Sequence, residues 1–126
     1  MGYTFISFVG QQNLGVQNPL EACLQAKNSD NTPKFYIDKI ILMPTDRTIG
    51  NAAGIKNYGE EHGYPSIEII PPEKDRNVIE VFDSLCSKYE KIILNSDGGM
   101  NFFITHAVII LFNKDAYSIV SNTDSV

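Results

Sequence analysis

Lys39-Ile40-Ile41-Leu42-Met43 is the stretch that decides the fold, because a continuous apolar run follows one lysine and Pro44 closes it. A strand that is apolar at every position is typical of a parallel sheet covered by helices on both faces. Proline cannot donate a hydrogen bond to a neighbouring strand, so we expect the strand to stop there. Four other short, β-rich runs predict further strands: Thr4–Val9, Ser66–Ile70, Lys91–Leu94 and Ala116–Val120.

Helix signals lie between the predicted strands. Asn18-Pro19 predicts the start of a first helix, with asparagine as the N-cap and proline at the first helical position. A second helix is expected from Thr48 to about His62, and Asn77 has the character of an N-cap for a third. The segment from about Met100 to Phe112 is apolar all round, which predicts a buried fourth helix.

This alternation of strands and helices predicts an α/β, Rossmann-like three-layer fold with a mostly parallel central sheet. The length of 126 residues fits one domain, so we expect residues 1–126 to be a single domain, which a longer protein could contain. The common strand order for such a fold is 3-2-1-4-5, which makes strands one and four neighbours.

Composition narrows the function. A net charge of −5 argues against binding of duplex nucleic acid, which requires a basic face. A small anionic ligand remains compatible, because backbone N–H groups at helix N-termini can hold phosphate. Cys23 and Cys86 lie far apart on predicted helices, and neither a signal peptide nor a membrane-spanning run is recognisable. We therefore expect a soluble, reduced, cytoplasmic domain, although a full-length protein containing it could be attached to a membrane.

Three loops are the candidate ligand site. Gly10–Gln17 follows strand one and Asn95–Asn101 follows strand four, so the two should face each other across the crevice where strand order reverses. Pro44–Thr48 follows strand two and contributes Arg47, the strongest cation of the three loops. The alternative is that these segments are ordinary turns and that Arg47 forms a surface pair with Asp46. The predicted ligand-binding residues are Gly10, Gln11, Gln12, Asn13, Asn18, Thr45, Asp46, Arg47, Asn95, Ser96, Asp97, Gly98, Gly99, Met100 and Asn101.

Familiar catalytic and phosphate motifs do not fit. Gly10–Gly15 has the glycine spacing of a P-loop, but Val16 and Gln17 stand where lysine and a hydroxyl residue are required. His106 is expected in the core or an interface, and His62 at the C-terminal end of the second helix. No metal-ligand spacing or Ser-His-Asp set is recognisable, so we predict no catalytic residue, metal or cofactor.

Two stretches resemble the CARF domains, the sensor modules of CRISPR-associated effectors that bind cyclic oligoadenylates. They are Phe8-Val9-Gly10-Gln11-Gln12 before Asn18-Pro19, and Ile93-Leu94-Asn95-Ser96-Asp97-Gly98-Gly99 after strand four. Members of that family often continue the second stretch with Thr-Lys, whereas this chain has Met100-Asn101. The resemblance implies a homodimer whose two-fold axis passes through the ligand, linked to an effector domain that these residues do not include.

The favoured hypothesis is thus a sensor without chemistry of its own, which signals in type III CRISPR antiviral defence. Its ligand would be a cyclic oligoadenylate, with cyclic tetra-adenylate favoured and hexa-adenylate possible. One alternative is a CARF-type ring nuclease that cleaves its ligand without metal. The residues that would position its reacting groups are Ser96, Asn101, Gln12 and Arg47. A small nucleotide- or flavin-binding enzyme is another alternative, and a receiver-like interaction domain is a third.

Overall fold

The computed structural model describes residues 2–98 and 101–121, which form a five-stranded sheet with helices on both faces. The sheet order is β3-β2-β1-β4-β5 and every pairing is parallel. The predicted fold class and strand order are therefore confirmed. The elements in chain order are β1 (Tyr3–Val9), α1 (Leu14–Gln25), β2 (Ile37–Pro44), α2 (Ile49–Glu61), β3 (Ser66–Ile69), α3 (Val78–Lys88), β4 (Ile92–Asn95), α4 (Asn101–Leu111) and β5 (Tyr117–Val120).

The apolar run of β2 explains the three layers. Ile40 and Leu42 belong to the core on the α1–α2 face of the sheet, whereas Ile41 and Met43 belong to the core on the α3–α4 face. All four side chains are buried, because successive residues of a strand point to opposite faces and helices cover both. Pro44 is the last residue of the strand, opposite Val9 of β1.

Most element boundaries lie within two residues of those predicted. The second helix is confirmed with Thr48 and His62 as its caps, and the His62 Nδ1 atom lies 2.7 Å from the Tyr58 carbonyl oxygen. Asn77 caps α3, since its Oδ1 accepts a hydrogen bond of 2.9 Å from the Glu80 backbone N–H. The Asn77 cap was recognisable because it is a local hydrogen bond between residues close in sequence.

The predicted start of the first helix is wrong. The helix begins at Leu14, and Pro19 lies inside it rather than at its first turn. Proline inside a helix ordinarily costs about 3 kcal/mol, partly because it removes one backbone hydrogen bond. Here the Gly15 carbonyl, which would have accepted that bond, accepts one of 2.8 Å from the Asn95 Nδ2 instead. This long-range partner is what allows the helix to extend through the proline.

The prediction that the fourth helix is buried is also wrong. Phe102, Ile109 and Phe112 are 61%, 56% and 71% exposed, because only the opposite side of α4, with Ala107 and Leu111, packs on the sheet. The His106 side chain is exposed as well, with its ring centroid 4.5 Å from that of Phe102. It therefore does not lie in the core, whereas the interface position stays a prediction. Among the described residues, no helix has the length and apolar character needed to cross a bilayer. Met100, where the fourth helix was predicted to begin, and residues 122–126 lie outside the described residues.

Both cysteines are free and buried, as their positions on predicted helices suggested. Burial raises the pKa of the Cys23 and Cys86 thiols to about 11, against the weaker opposing effect of Lys34 and Lys114. At about pH 8 we therefore expect the folded protein to react with a thiol reagent at least about 100-fold more slowly than the urea-unfolded chain. The free energy of unfolding should fall between pH 9.0 and about 11, where only unfolded thiols ionise. Equal reaction rates before and after unfolding would contradict this burial.

Candidate functional site

A cleft of about 460 Å³ opens at the carboxyl ends of β1 and β2. Its volume falls within the range of small-molecule sites, and its place agrees with the rule that ligands bind beyond the carboxyl ends of parallel strands. Its walls are formed by the ends of β1 and β2, by the loops that follow them, and by the first turns of α3 and α4. The residues that line it are Phe8, Val9, Gly10, Gln11, Met43, Thr45, Arg47, Thr48, Val78 and Phe103.

The floor of the cleft is apolar. Phe8 and Met43, near the ends of β1 and β2, both point to the α3–α4 face of the sheet. Val78 at the start of α3 and Phe103 in the first turn of α4 close this side, with the Phe8 and Phe103 ring centroids 5.7 Å apart. Aromatic and thioether side chains suit the face of a planar heterocycle better than a phosphate.

The rim of the cleft is polar and carries a cation. The Thr45 backbone N–H donates to the Thr48 Oγ1 over 2.9 Å, which closes the loop after β2 into a tight turn. This turn presents Arg47 with its side chain exposed. Within the described part of the chain the Arg47 guanidinium forms no ion pair and no hydrogen bond, so it does not pair with Asp46. An arginine in this state has all its donors available for an anionic ligand.

The loop after β1 is held in place by α2. The Asn51 Nδ2 donates to the carbonyl oxygens of Gly10 and Gln11, at 3.0 and 3.1 Å. This side chain lies in the first turn of α2, and it fixes the backbone that forms one wall of the cleft. Sequence analysis missed Asn51, because an asparagine in a polar helix carries no pattern that marks a bond to a residue 40 positions away.

A smaller cavity of about 150 Å³ adjoins the cleft and shares Met43, Thr45, Val78 and Phe103 with it. Asp46 and Arg76 are among its other lining residues. Unlike Arg47, Arg76 is engaged within the protein, since its guanidinium donates to the Ser84 Oγ over 2.6 Å. An anionic ligand would therefore find an available arginine in the larger cleft, whereas the arginine of the smaller cavity is already bonded within the protein.

The loop after β4 does face the loop after β1, but the two pack together. Gly98 is buried against the Phe8 carbonyl oxygen and the Ser7 hydroxyl, and Gly15 lies against the Asp97 carbonyl. This packing fills the crevice between β1 and β4, so the open cleft lies on the β1–β2 side instead. The Ser96 hydroxyl points the other way and donates to the Val120 carbonyl oxygen over 3.0 Å.

The predicted site residues thus divide into groups. Those that line the cleft are Gly10, Gln11, Thr45 and Arg47, and Asp46 lines the adjoining cavity. Those outside both cavities are Gln12, Asn13, Asn18, Asn95, Ser96, Asp97 and Gly98. Gly99, Met100 and the side chain of Asn101 lie outside the described residues. The lining residues that sequence analysis missed are Phe8, Val9, Met43, Thr48, Val78 and Phe103.

Neither comparison with known proteins nor the arrangement of metal-binding side chain types assigns a function to the cleft. The chain matches no protein-family model and no curated protein. Over residues 2–98 and 101–121, no three side chains of His, Cys, Asp or Glu lie close enough together to hold a metal ion. Any functional assignment therefore depends on the cleft itself and on the sequence patterns around it.

Proposed function

We propose that the domain binds a cyclic oligoadenylate, with cyclic tetra-adenylate favoured, and thereby regulates a linked effector in type III CRISPR defence. The observation that carries the proposal is the cleft, in which an apolar floor lies beside an arginine with no partner in the described chain. An adenine would lie against Phe103, which is only partly buried at the floor, and a phosphate would contact Arg47. Contacts of this kind would let a chain of net charge −5 hold an anion, because binding would depend on groups in the cleft and not on the overall charge.

Symmetry supports a ring as the ligand. A cleft of about 460 Å³ offers room for part of a four-nucleotide ring rather than for the whole of it. In an isologous dimer two such clefts would meet equivalent halves of one ring. The exposed apolar side chains of α4, next to Phe103 of the cleft, are the surface that a second copy would cover.

The deciding experiment is a calorimetric titration of the purified protein with cyclic tetra-adenylate, cyclic hexa-adenylate, the linear tetramer and ATP, all in EDTA. We expect a cyclic form to bind most tightly, because a ring is preorganised and the linear oligomer must lose conformational entropy on binding. Binding should persist in EDTA. Equal affinity for linear and cyclic forms, or for ATP and cyclic tetra-adenylate, would contradict the proposal.

Arg47→Ala is expected to weaken binding of cyclic tetra-adenylate by at least about 10-fold. A hydrogen bond to a charged group contributes about 1.5–3 kcal/mol, and each 1.4 kcal/mol corresponds to about tenfold in affinity. The free energy of unfolding should change little, because the exposed side chain has no partner in the described chain. Lys56→Ala on α2 is the control, since it removes the same charge from a residue that lines neither cavity. Equal losses in both variants would mean that only net charge matters.

A mononucleotide-binding domain is the second candidate, because a cleft of about 460 Å³ also suits one nucleotide. ATP binding as tight as that of any cyclic form would favour it. Ring cleavage has less support. Of its candidate residues, Arg47 lines the cleft, whereas the Ser96 hydroxyl is bonded to the Val120 carbonyl and Gln12 lies outside the lining.

A further inference from the structure

The side chain of Asn95, the last residue of β4, is fully buried and bonded on three sides. Its Nδ2 donates to the Ser7 Oγ at 3.1 Å and to the Gly15 carbonyl oxygen at 2.8 Å. Its Oδ1 accepts from the Asp97 backbone N–H at 3.0 Å. One side chain thereby joins β1, α1 and the loop after β4. We call these three hydrogen bonds the Asn95 latch.

Pro19 makes one of these bonds possible. In an uninterrupted helix the Gly15 carbonyl would accept from the backbone N–H of residue 19, four positions further on. Proline has no N–H, so this carbonyl is left without its helical partner. The Asn95 amide takes that place, and Pro19 is itself buried at the same helix face. Pro19 and Asn95 therefore act together, although they lie far apart in the sequence: the proline leaves the Gly15 carbonyl without a helical donor, and the asparagine supplies one.

Gly15 and Gly98 allow the loop after β4 to pack closely enough for the Asn95 latch to form. A Cβ at Gly15 would lie 3.1 Å from the Asp97 carbonyl oxygen, and a Cβ at Gly98 would overlap the Phe8 carbonyl oxygen. Side chains at either position would hold the loop away from α1 and from β1. The loop after β4 consequently approaches both elements at backbone distance.

We infer that Asn95 is a positioning residue, which acts on the cleft through the latch and does not contact the ligand. Both hydrogens of its amide are used within the protein, so no donor remains for a ligand. The Ser7 hydroxyl, which accepts from Asn95, donates to the Phe8 carbonyl oxygen over 2.8 Å. Phe8 lines the cleft, so the latch reaches its floor. The role in ligand binding rests on the proposed function, whereas the latch itself does not.

The first test uses the ligand-free protein. Asn95→Ala should speed hydrogen exchange at the Asp97 amide by at least about 10-fold and lower the urea midpoint of unfolding, since it leaves the Gly15 carbonyl unsatisfied. Adding Pro19→Ala supplies an N–H that donates to that carbonyl. The double variant should therefore recover part of the midpoint while Asp97 exchange stays fast. Wild-type exchange at Asp97 in Asn95→Ala would overturn the latch.

The second test measures affinity for cyclic tetra-adenylate in the same variants. Asn95→Ala and the Asn95→Ala, Pro19→Ala double variant should both bind at least about 10-fold more weakly than wild type. Asn57→Ala, which removes an exposed amide from α2, is the control and should bind like wild type. Full recovery of affinity in the double variant would overturn the inference, because Asn95 would then act only by supporting α1.

Asn95→Asp provides a variant of nearly the same shape with a pH-dependent readout. The carboxylate cannot donate to the Gly15 carbonyl or to Ser7, and burial raises the pKa of an aspartate. Its urea midpoint relative to wild type should therefore recover as pH falls from about 8 to about 6, where protonation restores one donor. A pH-independent deficit would overturn the donor role of Asn95. If wild-type protein binds no cyclic oligoadenylate, the proposed function and the ligand role of Asn95 fail together, while exchange and stability still decide the latch.

Discussion

Gly98→Ala is expected to destabilise the domain by about 2–3 kcal/mol and to abolish binding of cyclic oligoadenylate. An added Cβ would overlap the Phe8 carbonyl oxygen and the Ser7 Oγ, and would lie 3.0 Å from the Asn95 Nδ2. The first of these atoms belongs to the backbone of a central strand, which cannot move aside as a flexible side chain does. The loop after β4 must therefore shift, which breaks the Asn95 latch and moves the floor of the cleft at Phe8.

Urea unfolding and calorimetric titration together measure this effect. Gly50→Ala is the matched control, because a Cβ at Gly50 meets nothing within 4 Å and the position lies in the first turn of α2. Alanine there should stabilise the domain by up to about 1 kcal/mol, since glycine is the poorer helix former. A Gly98→Ala protein with wild-type stability and affinity would contradict the close packing of the loop against β1.

The fold could be predicted because its signals are local and redundant. The apolar run of β2 requires burial on both faces, Asn77 marks the start of α3, and α4 is recognisable as a continuous apolar run. The start of α1 could not be predicted in this way. Asn-Pro is a good helix start when only neighbours are considered, but here the Asn95 amide compensates for a proline in the helix interior.

The candidate site was only half predictable. Loops that follow parallel strands share one edge of the sheet, and this topology directed attention to two loops whose residues Gly10, Gln11, Thr45 and Arg47 line the cleft. Topology does not say which crevice between loops stays open. That depends on the backbone contact of Gly98 with Phe8, which closes the β1–β4 side.

The apolar floor was missed for a related reason. Met43, Val78 and Phe103 come from three elements and carry no polar atom that suggests a ligand. In the sequence each of these residues fits an ordinary core position. In the structure Val78 and Phe103 are partly buried and pack against the α3–α4 core. Only the folded structure shows that they share a cleft with the loops after β1 and β2.

Ile109→Glu is expected to weaken self-association of the domain by at least about 100-fold. Phe102, His106 and Ile109 follow one another at helical spacing on the outer side of α4, and Ile109 is 56% exposed. A second copy that covers this stripe would bury apolar side chains at about 1.5–3 kcal/mol each, and two-fold symmetry doubles every gain and every loss. The substitution replaces two such contacts with two carboxylates that must be desolvated close to each other.

Sedimentation velocity of the wild type and of two glutamate variants tests whether this stripe is a dimer interface. Tyr36→Glu adds the same charge at a side chain that is 66% exposed and precedes β2, outside α4, so it should associate like wild type. The proposed function requires ligand binding and dimerisation to share one site. Cyclic tetra-adenylate should then shift wild type further towards the dimer and should shift Ile109→Glu less. A wild-type protein that stays monomeric at micromolar concentration with and without cyclic tetra-adenylate would exclude the symmetric dimer. Identical behaviour of the two glutamate variants would place the interface elsewhere than on α4.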